Sequence, residues 1–159
     1  MNLRGVKYED IIQYKETSLF LIMPYCSFKC DKESNTNVCQ NSSLSNSPII
    51  FIEDDELIRE YLSNSLTKAI VFGGLEPFDS FDEMYSFIDK FRNLYKCNDT
   101  VVIYTGYNKT EIEDKIEILK NYPNIIIKFG RFVPEQDKHF DDTLGVYLAS
   151  DNQYAEIIS

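Results

Sequence analysis

The stretch Ser18–Leu44 reads SLFLIMPYCSFKCDKESNTNVCQNSSL, and its two halves obey different physics. Ser18–Met23 is an apolar run of strand length, the pattern of a strand buried on both faces of a parallel sheet. From Pro24 onward the chain turns polar and holds three of its four cysteines, Cys26, Cys30 and Cys39, separated by three and then eight residues. Active sites of open α/β sheets and barrels sit at the carboxyl ends of strands. A strand that delivers a cysteine loop at that end therefore predicts an α/β fold with its chemistry on the loop.

Three thiolates in one short polar loop are able to grip a single metal centre. A structural zinc site takes four protein ligands, and an electron-transfer 4Fe-4S cluster takes four cysteines, so three leave one metal corner free for chemistry. Other readings of the same residues are a zinc site completed by Cys97 or His139, an electron carrier with Cys97 as fourth ligand, and a set of scattered reduced thiols.

Outward from this stretch the pattern alternates. Glu53–Leu66 places Leu57, Ile58, Tyr61, Leu62 and Leu66 at helical spacing, with acidic residues in the first turn where the helix dipole favours them. Ala69–Phe72 is a short strand running into Gly73-Gly74-Leu75-Glu76-Pro77. Ser80–Tyr95 is the clearest helix, with Phe81, Met84, Tyr85, Ile88, Phe91 and Tyr95 on one stripe and Ser80 with Glu83 as a capping box. Thr100–Tyr104 is the next strand, followed by the turn Thr105-Gly106-Tyr107-Asn108 with Asn108 as a helix cap. Lys109–Tyr122 repeats the helical spacing until Pro123 stops it. Ile125–Phe129 is a further strand, Val133–Thr143 an exposed polar loop, and Leu144–Ser150 with Tyr154–Ile158 a terminal hairpin or pair of strands. Strands alternating with helices imply right-handed crossovers and a mainly parallel sheet.

At 159 residues the chain fits one domain, spanning 1–159 with the cluster loop at 24–44. A formal net charge of -10 with no basic stripe argues against nucleic acid as a partner, because such affinity rests on clustered Lys and Arg. No window approaches the roughly 18 apolar residues of a membrane span, so a cytoplasmic protein with no membrane partner is expected. A reducing compartment in turn favours metal or catalytic use of the cysteines.

The C-x3-C spacing of Cys26 and Cys30, together with the C-x-N-x-x-L run at Cys39, Asn41 and Leu44, resembles the cluster loop of radical S-adenosylmethionine enzymes. That family usually spaces its cysteines C-x3-C-x2-C, and this loop carries six residues more before Cys39. Gly73-Gly74-Leu75-Glu76-Pro77 is similar to the family's Gly-Gly-Glu-Pro motif with Leu75 inserted. Tyr104-Thr105-Gly106-Tyr107 is similar to a segment of the activating enzymes of anaerobic (class III) ribonucleoside-triphosphate reductase. Phe129-Gly130-Arg131-Phe132 and Ser150–Gln153 resemble two later family segments, with Phe129 where an acidic residue is common and Ala149 where a glycine is common.

The resemblance implies a radical S-adenosylmethionine-type partial (β/α) barrel. Cys26, Cys30 and Cys39 would ligate a 4Fe-4S cluster whose fourth iron chelates S-adenosylmethionine. Asn41, Gly73, Gly74, Glu76, Thr105 and Gly106 would bind that cofactor, with the Gly73–Pro77 turn holding its methionine end and serving the cofactor rather than the thiolates. The implied activity is reductive cleavage of S-adenosylmethionine and formation of a glycyl radical on the anaerobic reductase, with a low-potential donor such as flavodoxin or ferredoxin. Another radical enzyme of this type or another glycyl-radical activase are the alternatives. Cys97 reads as an inert, partly buried thiol and His139 as a solvated side chain.

Overall fold

The computed structural model describes residues 1–159. In chain order, β1 (Asn2–Leu3), β2 (Gly5–Asp10) and β3 (Ser18–Ile22) precede α1 (Lys29–Ser34), β4 (Ile50–Phe51), α2 (Asp54–Ser63) and β5 (Ala69–Gly73). They are followed by α3 (Phe81–Asp89), β6 (Thr100–Tyr104), α4 (Glu113–Leu119), β7 (Ile125–Phe129), β8 (His139–Asp141), β9 (Val146–Leu148) and β10 (Tyr154–Ile157). The main sheet has six strands in the order β10-β7-β6-β5-β3-β2. Its four central strands run parallel, while β2 and β10 close the edges antiparallel.

The central strands are apolar on both faces because both faces are covered. Leu19, Leu21, Ile70, Phe72, Val101, Ile103, Ile125 and Ile127 look one way into a core of 25 buried residues. That core receives Leu57, Ile58 and Tyr61 from α2, Met84, Phe87 and Ile88 from α3, and Ile116 and Leu119 from α4. All three crossover helices thus lie on one side of the sheet. Phe72 meets Phe87 edge-on at 5.6 Å between ring centroids, a geometry favoured by the ring quadrupoles.

The other face carries Phe20, Ala69, Val71, Val102 and Ile126. It is covered only by Tyr14 from the β2–β3 connection and by Leu144 and Leu148 of the β8–β9 hairpin. This thinner cover stops short of the carboxyl ends of the strands, and the space left there is the cavity described below.

Local differences from the sequence expectations have physical reasons. The helix expected to run to Tyr95 is α-helical only to Asp89 and then widens into a π-turn over Lys90–Leu94, which buries both Phe91 and Arg92. Arg92 uses one nitrogen on the Cys97 carbonyl at 2.8 Å. Ser80 makes no cap bond and its buried hydroxyl has no partner, while the Glu83 carboxylate accepts from the Asn2 backbone N–H and side-chain amide. Asn108 does cap its helix, in a reciprocal box with Glu111. The polar segment expected to be loop contributes β8, anchored where the Asp141 side chain accepts from Leu144 and Ala155 backbone N–H groups.

Candidate metal and cofactor site

Cys26, Cys30 and Cys39 line one cavity of about 540 Å³ at the carboxyl ends of β3, β5, β6 and β7, together with Gly74, Glu76, Thr105, Gly106, Lys128 and Arg131. Asn41 lines it as well, from the turn that follows Cys39. Gly73 stands behind the wall, where a Cβ would lie 3.2 Å from both the Phe20 ring and Tyr104 Cβ. Cys97 and His139 do not reach the cavity.

The six extra residues before Cys39 do not form a featureless bulge. They belong to α1 and the turn after it, and one carboxylate closes that excursion. Asp31 accepts from the backbone N–H groups of Val38 and Cys39, each at 2.8 Å. A six-residue helix is marginal by itself, since its nucleation cost is repaid by few bonds, so this closure carries much of the loop's order. It returns Cys39 to the neighbourhood of Cys30.

Cys30 and Cys26 both lie close enough to Cys39 for its charge to act on their thiols. Burial, first of all, pushes the Cys26 thiol up to about 12 and the Cys30 thiol up to about 11, with Cys39 and nearby acids acting in the same direction. Without a cation these groups stay protonated; a metal centre supplies the positive charge that holds them as thiolates. No three Cys, His, Asp or Glu side chains are drawn into a ready coordination sphere. The donor set is nevertheless the right kind for an iron-sulfur centre, with three cysteines lining one partly enclosed space and no fourth cysteine or histidine among the lining residues.

The opposite wall is built from the two turns singled out in the sequence. Gly74 has φ +77, and a Cβ there would stand 2.7 Å from Ile22 Cγ2 and 3.2 Å from Leu44 Cδ1. Leu44 belongs to the cysteine-bearing stretch, so this turn and the cluster loop touch. The inserted Leu75 is buried in the main core, which leaves Glu76 to turn toward the cavity.

Glu76 is itself buried and fully engaged. It accepts from Thr105 Oγ1 at 2.7 Å, Gly106 N at 2.9 Å and Phe78 N at 3.1 Å. Burial pushes its carboxyl up to about 7 against those three hydrogen bonds. The Thr105 hydroxyl also accepts from Tyr107 N at 2.9 Å. Glu76, Thr105 and Gly106 therefore form one bonded unit in which the threonine hydroxyl is spent on the protein.

Four further residues belong to the site. Asp79 accepts from Ser27 N and from the Tyr107 hydroxyl, both at 2.6 Å, tying the cluster loop to the Thr105–Asn108 turn. Arg131 forms a two-pronged pair with Glu111 at 2.6 and 2.8 Å, and its Nε lies 3.3 Å from Glu33 of α1. Lys29 reaches the same Glu111 at 3.2 Å and sits 4.3 Å over the Tyr107 ring. Lys128 stands buried on the inner face of β7. A lone lysine inside the run Ile125–Phe129 was a visible signal for the last; the partners of Asp79 and Arg131 lie 52 and 20 residues away and leave no local mark.

Residues 15–154 match the family described as the 4Fe-4S single cluster domain. The chain belongs to that family. This domain is found in radical S-adenosylmethionine-type proteins, and the match supports a 4Fe-4S cluster as the metal centre of this chain. No curated protein and no solved structure matches the chain. No helix of this cluster domain is long and apolar enough to cross a membrane.

Proposed function

We propose that this chain is a radical S-adenosylmethionine enzyme of partial-barrel type that acts as the activase of an anaerobic ribonucleoside-triphosphate reductase. The observation that carries the reading is a convergence. The three-cysteine loop, the Gly74–Glu76 turn and the Thr105–Gly106 turn, far apart in sequence, wall a single cavity at the carboxyl ends of parallel strands.

Cys26, Cys30 and Cys39 would hold a 4Fe-4S cluster, leaving one iron without a protein ligand. When bound and reduced by a low-potential donor such as flavodoxin or ferredoxin, the cluster supplies the single electron that splits the sulfonium of S-adenosylmethionine into methionine and a 5'-deoxyadenosyl radical. A glycine of the reductase would give up one hydrogen atom, which would account for 5'-deoxyadenosine, a glycyl radical and the electron introduced.

The chain's own residues prepare this site. Gly74 presents main chain where a side chain would collide with Ile22 and Leu44. Glu76 fixes the Thr105–Gly106 turn through two of its three hydrogen bonds, so the wall facing the cofactor does not have to organise on binding. Asp79 and Arg131 hold the cluster loop against that wall.

The test is anaerobic reconstitution with iron and sulfide, followed by reduction with S-adenosylmethionine and assay for 5'-deoxyadenosine. The reductase from the same genome is then added, and a glycyl-radical doublet is sought by electron paramagnetic resonance. Cofactor cleavage without a radical on the reductase removes the activase assignment and keeps the radical chemistry. Loss of both removes the enzyme reading.

A further inference from the structure

Cys30 is carried by α1, a helix of six residues with no buried side chain and no side-chain cap at its start. So short a helix does not hold itself, and its place must come from polar contacts. Its charged side chains are Lys29, Asp31, Lys32 and Glu33. Asp31 closes the return to Cys39, and Lys32 makes no ion pair. Lys29 and Glu33 remain. Four residues apart, they share one face of the helix, and they stand either side of Cys30 in the chain.

The two do not pair with one another; each reaches across to the barrel wall. Lys29 Nζ lies 3.2 Å from Glu111 Oε1 and 4.3 Å over the Tyr107 ring. Glu33 Oε2 lies 3.3 Å from Arg131 Nε, a nitrogen without a hydrogen-bond partner, so that contact is charge attraction alone. The receiving pair is itself fixed. Arg131 donates to Glu111 at 2.6 and 2.8 Å, and Glu111 also accepts from the Asn108 N–H at 2.8 Å. Signs alternate from Glu33 through Arg131 and Glu111 to Lys29, and α1 closes the ring.

This ring has a shielded half and a wet half. The Arg131 and Glu111 side chains are 8% and 29% exposed, those of Lys29 and Glu33 42% and 60%. Exposed ion pairs are weak and screened by salt, so α1 leaves the wall more easily than Arg131 leaves Glu111. Its departure disturbs no apolar core, because the helix buries nothing.

We propose that Lys29 and Glu33 are positioning residues for Cys30, a two-point ionic latch that holds the insert helix against the Glu111–Arg131 pair and sets how fast the metal centre is gained and lost. The inference rests on the ligand set Cys26, Cys30 and Cys39, and needs neither S-adenosylmethionine nor the reductase. It gives the lengthened cysteine spacing a task, since the added turn of helix is what supplies a contact on each side of a ligand.

The test follows loss of the cluster's visible absorption after excess EDTA is added to the reconstituted, unreduced protein, at low and at high potassium chloride. Salt also eases the approach of an anionic chelator to an acidic protein, so the quantity read is the ratio of variant to wild-type rate at each salt concentration. Lys29→Met and Glu33→Gln should each lose the cluster about two- to fivefold faster than wild type at low salt, the size of an exposed ion pair. Both ratios should fall toward one at high salt, where the wild-type latch is screened as well. The two substitutions change the net charge in opposite directions, so a shared acceleration reports the contacts and not the charge of the helix. Lys29→Arg should restore the wild-type rate, and Lys32→Met, the same charge change without a pair, should match wild type throughout. Thermal melts verify folding.

The latch is overturned if either variant loses the cluster at the wild-type rate at low salt, or if its excess rate persists at high salt, as a packing role would give. It is also overturned if Lys32→Met reproduces the acceleration. A wild type that takes up no cluster overturns the ligand set and this inference with it, which is a different result from a cluster whose loss ignores these two residues.

Discussion

Asp31→Ala tests how the long cysteine spacing works. One oxygen of Asp31, Oδ1, accepts both the Val38 and the Cys39 N–H at 2.8 Å. Hydrogen bonds to a charged acceptor contribute roughly 1.5–3 kcal/mol each when well shielded. This site is half-buried, so the pair together is assigned about 2 kcal/mol, equivalent to roughly thirtyfold in the population of the closed loop. The six residues of α1 contribute no buried side chain that would hold the loop in place of these bonds.

Asp31→Ala should therefore leave the fold intact, as judged by the main thermal transition, while lowering the iron and sulfide retained after anaerobic reconstitution at limiting iron. Asp31→Asn is the decisive companion, because its amide oxygen accepts the same two N–H groups without the charge, and it should retain most of the loading. Equal loading of Asp31→Ala and wild type would refute the reasoning. Equal loss in the Asn and Ala variants would move the effect from hydrogen bonding to charge.

Three further outcomes follow from the geometry. Cys26→Ala, Cys30→Ala and Cys39→Ala should each lose the visible absorption of the cluster, whereas Cys97→Ala, outside the cavity, should keep it; the reverse pattern for Cys39 and Cys97 would sink the ligand set. Gly74→Ala should cost about 1–3 kcal/mol because its φ is +77 and its Cβ would stand 2.7 Å from Ile22, and it should also reduce cluster loading through Leu44; full loading would show that the loop yields freely. Glu111 is held down to about 2 from an ordinary 4.5, first by its hydrogen bonds to Arg131, so it contributes stability above pH 4.5 that is lost as the pH falls from 4.5 toward 2. Glu111→Gln should flatten the melting temperature across that window, and an unchanged slope would discount the pair.

What the sequence made legible is what repeats locally. The apolar runs 18–23, 69–72, 100–104 and 125–129 announce buried strands because each must cover two faces, and the structure places all four side by side at the centre of the sheet. The helices of 53–66 and 109–122 show through their spacing for the same reason, although both are shorter in fact than the apolar pattern suggests, since Leu66 is exposed and the first turn of the latter is 3-10. The cysteine loop and the two glycine turns were visible as composition. Their convergence follows from the parallel order of the strands.

The electrostatic wiring of the site was not legible, because it is made by pairs with no fixed sequence offset. Glu76, expected from the sequence as a cofactor-binding acid, also braces the Thr105–Gly106 turn through acceptor bonds that the sequence did not announce. Lys128 sits in a run of isoleucines where burial alone would call for another apolar side chain, and it lines the same cavity as the three cysteines. In a chain of net charge -10 the long-range field repels an anionic group from the surface at large. The positive charge that Lys128 and Arg131 place at the cavity is therefore local, set against that surface field.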